Sequence, residues 1–270
     1  METSDIVKVH EHSFVKLLDI MGNDEEGENA ARISYGEGTR KGSQTRNLIR
    51  YLMRHKHTSP FEMCSVKFHL KLPIFVMRQV VRHRTASLNE YSGRYSVMSD
   101  EFYLPEYEYL QKQSKTNNQG REEILPKKGK LQFQFKKIYA DATAIYHEFI
   151  EEDLTRELAR VVLPVANYTE CIRVINLHNF FHFVKLRTDS HAQKEIQDFA
   201  NVMYELVKPK FPFCCEAFED YVLNAITFSA KEMKIIKDNL SGSWIMDQYG
   251  LSKREAKEFL GKVSKHGDNC

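Results

Sequence analysis

Residues 66–72 constrain the fold most. Val66, Phe68, Leu70 and Leu72 alternate with Lys67, His69 and Lys71. That period of two reads as a strand with one dry face and one wet face. Pro73 then opens a helix carrying Ile74, Met77, Val80 and Val81 inward, with Arg78 and Arg82 four apart on one face. The next stretch resists burial. Residues 82–95 hold three arginines, a histidine, a glutamate, an asparagine and serines. Each cation buried in an apolar core would need a partner, and the stretch lacks the alternating signs of a solvated helix face. Basic residues complementing a helix C-terminus explain two of Arg82-His83-Arg84, but not the continuation from Asn89 to Tyr95. Arginine forks beside small hydroxyls suit a phosphorylated, hydrogen-bond-rich small molecule.

Elsewhere the chain reads as alternating elements. Residues 6–21 are strand-like, and Gly22-Asn23-Asp24 is a turn and helix start. Ala30-Ala31-Arg32-Ile33-Ser34 precedes a loop from Gly36 to Gly42, where Gly36-x-Gly38 lacks the third glycine of a dinucleotide fingerprint. Residues 45–55 form a helix with Leu48, Ile49, Leu52 and Met53 on one face, broken before Pro60. Residues 105–137, with Asn117-Asn118-Gln119-Gly120, Pro126 and Gly129, read as a surface loop of mixed order. Helical periodicity returns over 135–150 and 154–162, the latter ended by Pro164. Ser190-x-x-Gln193 resembles a capping box for a helix that Pro209 ends. Ser229-x-x-Glu232 and Ser252-x-x-Glu255 resemble two more, opening short helices joined through Gly242 and Gly250.

These readings give an α+β fold: a largely antiparallel sheet flanked by helices, with a short helical C-terminal extension. The expected organisation is a catalytic domain over 1–228 and an extension of unknown role over 229–270.

Composition removes several function classes. The chain has 270 residues, 42% apolar and 28% charged, with a net charge of only +2. No global field points to nucleic acid or a membrane. The start, Met1 to His10, has neither a basic region nor a long apolar run, so no signal peptide is expected, and no stretch approaches a membrane span. Cys64, Cys171, Cys214, Cys215 and Cys270 form no Cys-x-x-Cys pair. The expectation is no metal, buried or incidental thiols, and a reducing, cytoplasmic setting.

The motif carries a resemblance. Arg82-His83-Arg84, seven residues, then Ser92, continuing through Gly93 and Arg94, resembles the signature of the flavin-dependent thymidylate synthases. Ser87, Asn89 and Glu90 fall within the match. Four further blocks keep the family's order. They are Gly22-Asn23-Asp24 with Ala30 to Ser34, His57-x-Ser59-Pro60-Phe61-Glu62, Arg160-Val161-Val162-Leu163-Pro164, and the run from Asn176 through His178, His182 and Arg187 to Glu195. The resemblance covers roughly residues 6–228.

It implies methylation of dUMP to dTMP, with 5,10-methylenetetrahydrofolate giving the carbon and NADPH the electrons through FAD, and no cysteine nucleophile. The Pro-Cys-His of the cysteine-dependent thymidylate synthases is absent; Cys214 sits in Pro-Phe-Cys-Cys. By resemblance Gln79, Arg82, Glu90, Ser92, Gly93 and Arg94 bind dUMP, with Arg94 and its neighbours on the phosphate. Arg160 joins that site from another subunit of a homotetramer with shared active sites. Arg187 sits by the uracil and stabilises charge developing at N3 and O4. His57, Ser59, Arg82, His83, Arg84, Glu90, Asn176, His178 and His182 match flavin-contacting positions. Arg187, Ser92 and His57 are the catalytic candidates; for Ser92, positioning is favoured over covalent attack because no base stands near it in sequence.

The chain departs from the family where His178 replaces a common arginine, where Met63 replaces a common histidine, around residues 111–130, and in the tail after residue 228, to which the resemblance does not extend. Two rival readings remain. One is an RNA- or nucleotide-binding module using Tyr91 and Tyr95 for stacking. The other is a flavoprotein that oxidises NADPH without transferring a methyl group.

Overall fold

The computed structural model describes residues 6–33, 45–115, 121–231 and 233. The chain divides into two compact units, Met1–Leu223 and Asn224–Cys270. In the first unit β1 (Ile6–Lys8) and β2 (Phe14–Met21) lead to α1 (Asp24–Ile33). Next come α2 (Thr45–Arg54), the short α3 (Ser59–Glu62), β3 (Ser65–Pro73), α4 (Ile74–Val80) and β4 (Ser87–Glu90). β5 (Gln111–Gln113) and β6 (Arg121–Ile124) precede α5 (Lys128–Glu151) and α6 (Arg156–Ala159). β7 (Tyr168–Asn176), α7 (Leu177–Arg187), α8 (Lys194–Val207) and α9 (Pro212–Phe218) complete it.

The fold is α+β, as expected. Five strands run in the order β1-β2-β3-β7-β4, every neighbour antiparallel, and β5 with β6 forms a separate hairpin. The alternation of residues 66–72 decides which face is dry. Val66, Phe68, Leu70 and Leu72 are buried, and their partners across β7 share that face: Ile175 opposite Val66, Arg173 opposite Phe68, Cys171 opposite Leu70. The dry face packs against Phe180, Phe183, Phe199, Phe211 and Phe218 of the helical half. On the wet face His69 and Lys71 pair with Glu170, and Lys71 also reaches Glu101 at 2.5 Å.

Local chemistry fixes the helix ends near the site. Pro73 is extended (φ −63°, ψ 146°) and cannot continue a helix backwards, so α4 starts directly after it. Asn176 caps α7 by accepting from the Asn179 backbone N–H at 2.9 Å. Asn23 receives the Glu25 and Glu26 N–H groups at the start of α1. The preceding Gly22 has φ +88°, and a Cβ there would lie 2.8 Å from the Cys64 Sγ.

Three local expectations are corrected. Residues 105–137 are not one loop: they contain β5, β6 and the first turns of α5. That helix exposes nearly all of its opening residues, so no apolar stripe marks its start, and Gly129 masks it further. The Ser190-x-x-Gln193 box does not form. Asp189 accepts from the His191 N–H at 2.8 Å, and α8 begins only at Lys194, without a side-chain cap. The helix expected over 154–162 shortens to α6 plus a 3-10 turn, because Asp153 takes φ 57° and Thr155 is extended. The expectations for Ser34, the Gly36–Gly42 loop, Asn117 to Gly120, Glu232, the Ser252 box, Gly242, Gly250 and Cys270 lie outside the described residues.

Candidate active site

The residues after α4 turn tightly. The N–H of Arg82 reaches the Gln79 carbonyl, that of His83 the Val80 carbonyl, and that of Ala86 the Arg84 carbonyl at 2.9 Å. This turn faces α7 across a cleft of about 440 Å³. Arg82, His83, Arg84 and Thr85 line one wall; Asn179, His182, Leu186 and Arg187 of α7 line the other, with Ile175 of β7 completing the lining. Three guanidinium groups converge, and no carboxylate among the described residues lines the cleft. Unneutralised cations in a concave site focus a positive field and favour an anionic ligand.

Two of the lining groups are coupled. Arg187 Nε donates to His83 Nε2 at 2.9 Å, and its Nη2 reaches the Gln79 carbonyl at 3.5 Å. To accept, His83 must be neutral. Its pKa is lowered to about 4, first by burial, then by the charges of Arg187, Arg173 and His182. Burial and the nearby Arg82 also lower the Arg187 pKa. His83 packs edge-on against Phe183 at 5.0 Å and lies 5.8 Å from the His182 ring.

A second group lies at the far end of β4. That strand has four residues, a span of about 13 Å at the usual rise. Glu90 accepts from the Thr169 hydroxyl at 2.9 Å, and the Ser92 hydroxyl accepts from the Arg94 N–H at 3.4 Å. Arg94 pairs with Glu157 at 3.0 Å, both exposed. Gly93 is buried, and a Cβ there would meet Met98 Sδ at 2.7 Å and the Arg160 stem at 3.1 Å, so a glycine lets Arg160 close in. Gln79 bonds to Gln193 at 2.7 Å. His57 and Ser59 are exposed around the start of α3, with the His57 ring 6.0 Å from Tyr51. Asn176 spends its side-chain oxygen on the Asn179 backbone and amide. His178 is half-buried on the first turn of α7.

Of the residues singled out in the sequence, Arg82, His83, Arg84, His182 and Arg187 thus meet in one cleft. Ser92, Gly93, Arg94 and Arg160 form a separate group. Sequence reasoning missed Thr85, Asn179 and Leu186. The last two share a helical face with His182, visible only once the start of α7 is known.

Comparison with known proteins decides the family. Residues 16–213 match the model described as thymidylate synthase complementing protein. The flavin-dependent thymidylate synthase of Dictyostelium discoideum is 46% identical over 265 residues, covering 95% of this chain and 86% of that one. The Treponema denticola protein of the same name is 45% identical over 263 residues, covering 95% and 96%. The chain belongs to the flavin-dependent thymidylate synthase family. Among solved structures, the UMP/dUMP methylase PolB from Streptomyces cacaoi, bound with 5-Br dUMP, aligns with a TM-score of 0.72 and 33% identity. It covers 81% of this chain and 96% of that one. As a flavin-dependent thymidylate synthase family member the chain is an enzyme of the methyltransferase class. The matched residues contain both arginine groups, the cleft and the Arg94–Arg160 corner.

Proposed function

We propose that this chain methylates dUMP at C5 to give dTMP, with 5,10-methylenetetrahydrofolate as carbon donor and NADPH as reductant. The observation that carries this reading is the cleft: three arginines and no acid among the described residues, in a chain of this family. A phosphate-bearing, hydrogen-bonding ligand fits such a donor set, and FAD is one. Arg82, Arg84, Thr85, Asn179 and His182 would hold it, with His57, Ser59, Asn176 and His178 as further candidates. A bound flavin supplies the hydride that completes the methyl group. In the balance of the reaction the C5 proton of dUMP leaves, the methylene carbon takes its place, and tetrahydrofolate and NADP⁺ are released.

This chain's own residues bind and orient. Arg187 would sit at the pyrimidine edge and stabilise negative charge developing at N3 and O4. Ser92, Gly93 and Arg94, with Gln79, Arg82, Glu90 and Arg160, would take the nucleotide. Arg94 would exchange its exposed Glu157 partner for the phosphate, a small loss for a surface pair. No thiol is asked to attack. Cys64, Cys171, Cys214 and Cys215 are buried and unpaired. Burial first pushes the Cys64 thiol up to about 11 and those of Cys171 and Cys215 up to about 12, so none of these three is a thiolate at neutral pH. Unpaired thiols also fit a reducing compartment such as the cytoplasm. No helix among the described residues is long and apolar enough to cross a membrane.

The separation of the two residue groups along β4 supports a site shared between subunits of a homotetramer, the Arg94–Arg160 corner of one chain completing the cleft of another. The deciding experiment is tritium release from dUMP labelled at C5, with FAD and methylenetetrahydrofolate, with and without NADPH. Release that requires both folate and NADPH supports the reading. No release from folded, yellow protein would move the assignment to an NADPH oxidase, which should also ignore dUMP when NADPH consumption is followed.

A further inference from the structure

Arg173 has no part in the proposed reaction, yet it is only 1% exposed and heads the fully buried side chains by volume. The alternation of β7 puts it on the dry face between Phe68 of β3 and Leu88 of β4. A cation there needs compensation. No carboxylate among the described residues meets it. Instead Nη1 donates to the Val80 carbonyl at 3.4 Å and Nη2 to the His83 carbonyl at 3.2 Å, while Cζ lies 5.2 Å from the centre of the Phe183 ring. Its buried Nε has no partner among the described residues. Val80 ends α4 and His83 lies in the turn beyond it, so Arg173 adds a second donor to the Val80 carbonyl, which already accepts the His83 N–H at 3.1 Å, and reaches a carbonyl past the helix end. Burial lowers the Arg173 pKa to about 10, so the side chain stays cationic at neutral pH.

The same Phe183 ring that takes the Arg173 guanidinium takes the edge of the His83 imidazole at 5.0 Å. His83 Nε2 in turn accepts from Arg187 Nε. We propose that Arg173 is a positioning residue: from beneath the cleft it clamps the 80–83 turn against Phe183 and holds His83 as the neutral acceptor that anchors Arg187. The charged and titratable groups facing His83 are Arg187 and His182 from α7, Arg173 from β7, and Arg82 and Arg84 beside it in the turn. None of these is an acid. Only the consequence for turnover rests on the proposed role of Arg187.

The test follows His83 directly in the full chain as purified with its flavin, carrying ¹⁵N-labelled histidine, with the signal assigned by its loss in His83→Gln. The ring should be neutral at pH 6 with Nε2 unprotonated. Arg173→Met, which keeps volume without charge, should raise the His83 titration midpoint by about one unit. Arg173→Lys, which keeps the charge but loses the two-pronged clamp, should return the midpoint without restoring turnover. In Arg173→Met, kcat for tritium release should fall about ten- to hundredfold with little change in KM for dUMP, as expected for a misplaced group. An unchanged midpoint in folded Arg173→Met overturns the proposal. So does an imidazolium at His83 at pH 6 in the unsubstituted protein, a measurement that stands even where the variant does not fold. A raised midpoint with normal kcat in folded Arg173→Met would show that Arg173 acts on His83 through its charge alone and overturns the positioning role.

Discussion

Arg187 is held by a group that cannot easily be charged. Its Nε–H needs the lone pair on His83, and burial together with Arg187, Arg173 and His182 keeps that lone pair free down to about pH 4. Arg187→Ala should therefore retain flavin, since Arg82 and Arg84 remain in the cleft, but lose about a hundred- to thousandfold in kcat for dTMP formation. Absorbance of bound flavin and tritium release measure the two separately; normal turnover would exclude Arg187 from the reaction. His83 also has a signature in stability. Its native pKa lies below the ordinary 6.5, so between pH 6.5 and about 4 the unfolded chain binds a proton that the native state does not. Stability should fall with pH across that window, and His83→Gln should flatten the slope when melting temperature is followed from pH 7 to 4.

Between elements, buried ion pairs fasten the pieces that have little core of their own. The β5–β6 hairpin is one such piece. Arg121 of β6 reaches both oxygens of Glu195 on α8, at 2.8 and 2.7 Å, and the Tyr103 hydroxyl donates to Glu195 at 2.9 Å. Burial pushes the Glu195 pKa upward, but the Arg121 hydrogen bonds and charge outweigh it, helped by Tyr103, and the net shift is downward. A carboxyl with a depressed native pKa contributes stability above its ordinary value, near 4.5, and loses it as the pH falls through the native value. Arg121→Ala leaves Glu195 buried and unpaired and should cost about 3 kcal/mol at pH 7 in urea unfolding. It should also move the onset of acid unfolding upward. A variant as stable as the parent at both pH values would show that water already serves Glu195. The short helix α9 is secured in a similar way, with Asp24 accepting the Phe213 and Cys214 N–H groups at 2.8 and 2.9 Å.

Across the whole molecule, the proposed sharing of each site between subunits is the main constraint. The helix α5 has 24 residues but buries only Tyr146, leaving Phe133, Ile138 and Ile145 exposed. Tyr95 and Val161, beside the Arg94–Arg160 corner, are each 73% exposed. Such apolar area beside the Arg94–Arg160 corner is what the proposed subunit contact would cover. Arg160→Ala and Arg187→Ala should each be nearly inactive alone. Mixed under conditions that allow subunit exchange, they should regain measurable tritium release, because some sites would combine an intact corner with an intact cleft. Light scattering should give four times the chain mass. Absence of any recovery, with exchange shown by tagged subunits, would place both groups in one protomer.

Features whose physics is local were legible in the residues alone. Alternation over 66–72 named the dry face of β3, Pro73 set the start of α4, and the spacing from Arg82 to Arg94 pointed to the family and to a candidate site. Residues that act through long-range contacts were not legible. No motif in the sequence singles out Arg173. That it lies on the dry face, beneath the His83 turn, comes from the pairing of β7 with β3 and β4, residues about 100 positions away in the chain. The start of α5 was hidden because a helix exposed on most sides has no apolar stripe to betray it. The cleft itself belongs to the tertiary structure: it exists only where the turn after α4 meets α7 across β7. Only that meeting brings the Arg187 guanidinium to a histidine whose burial keeps it neutral.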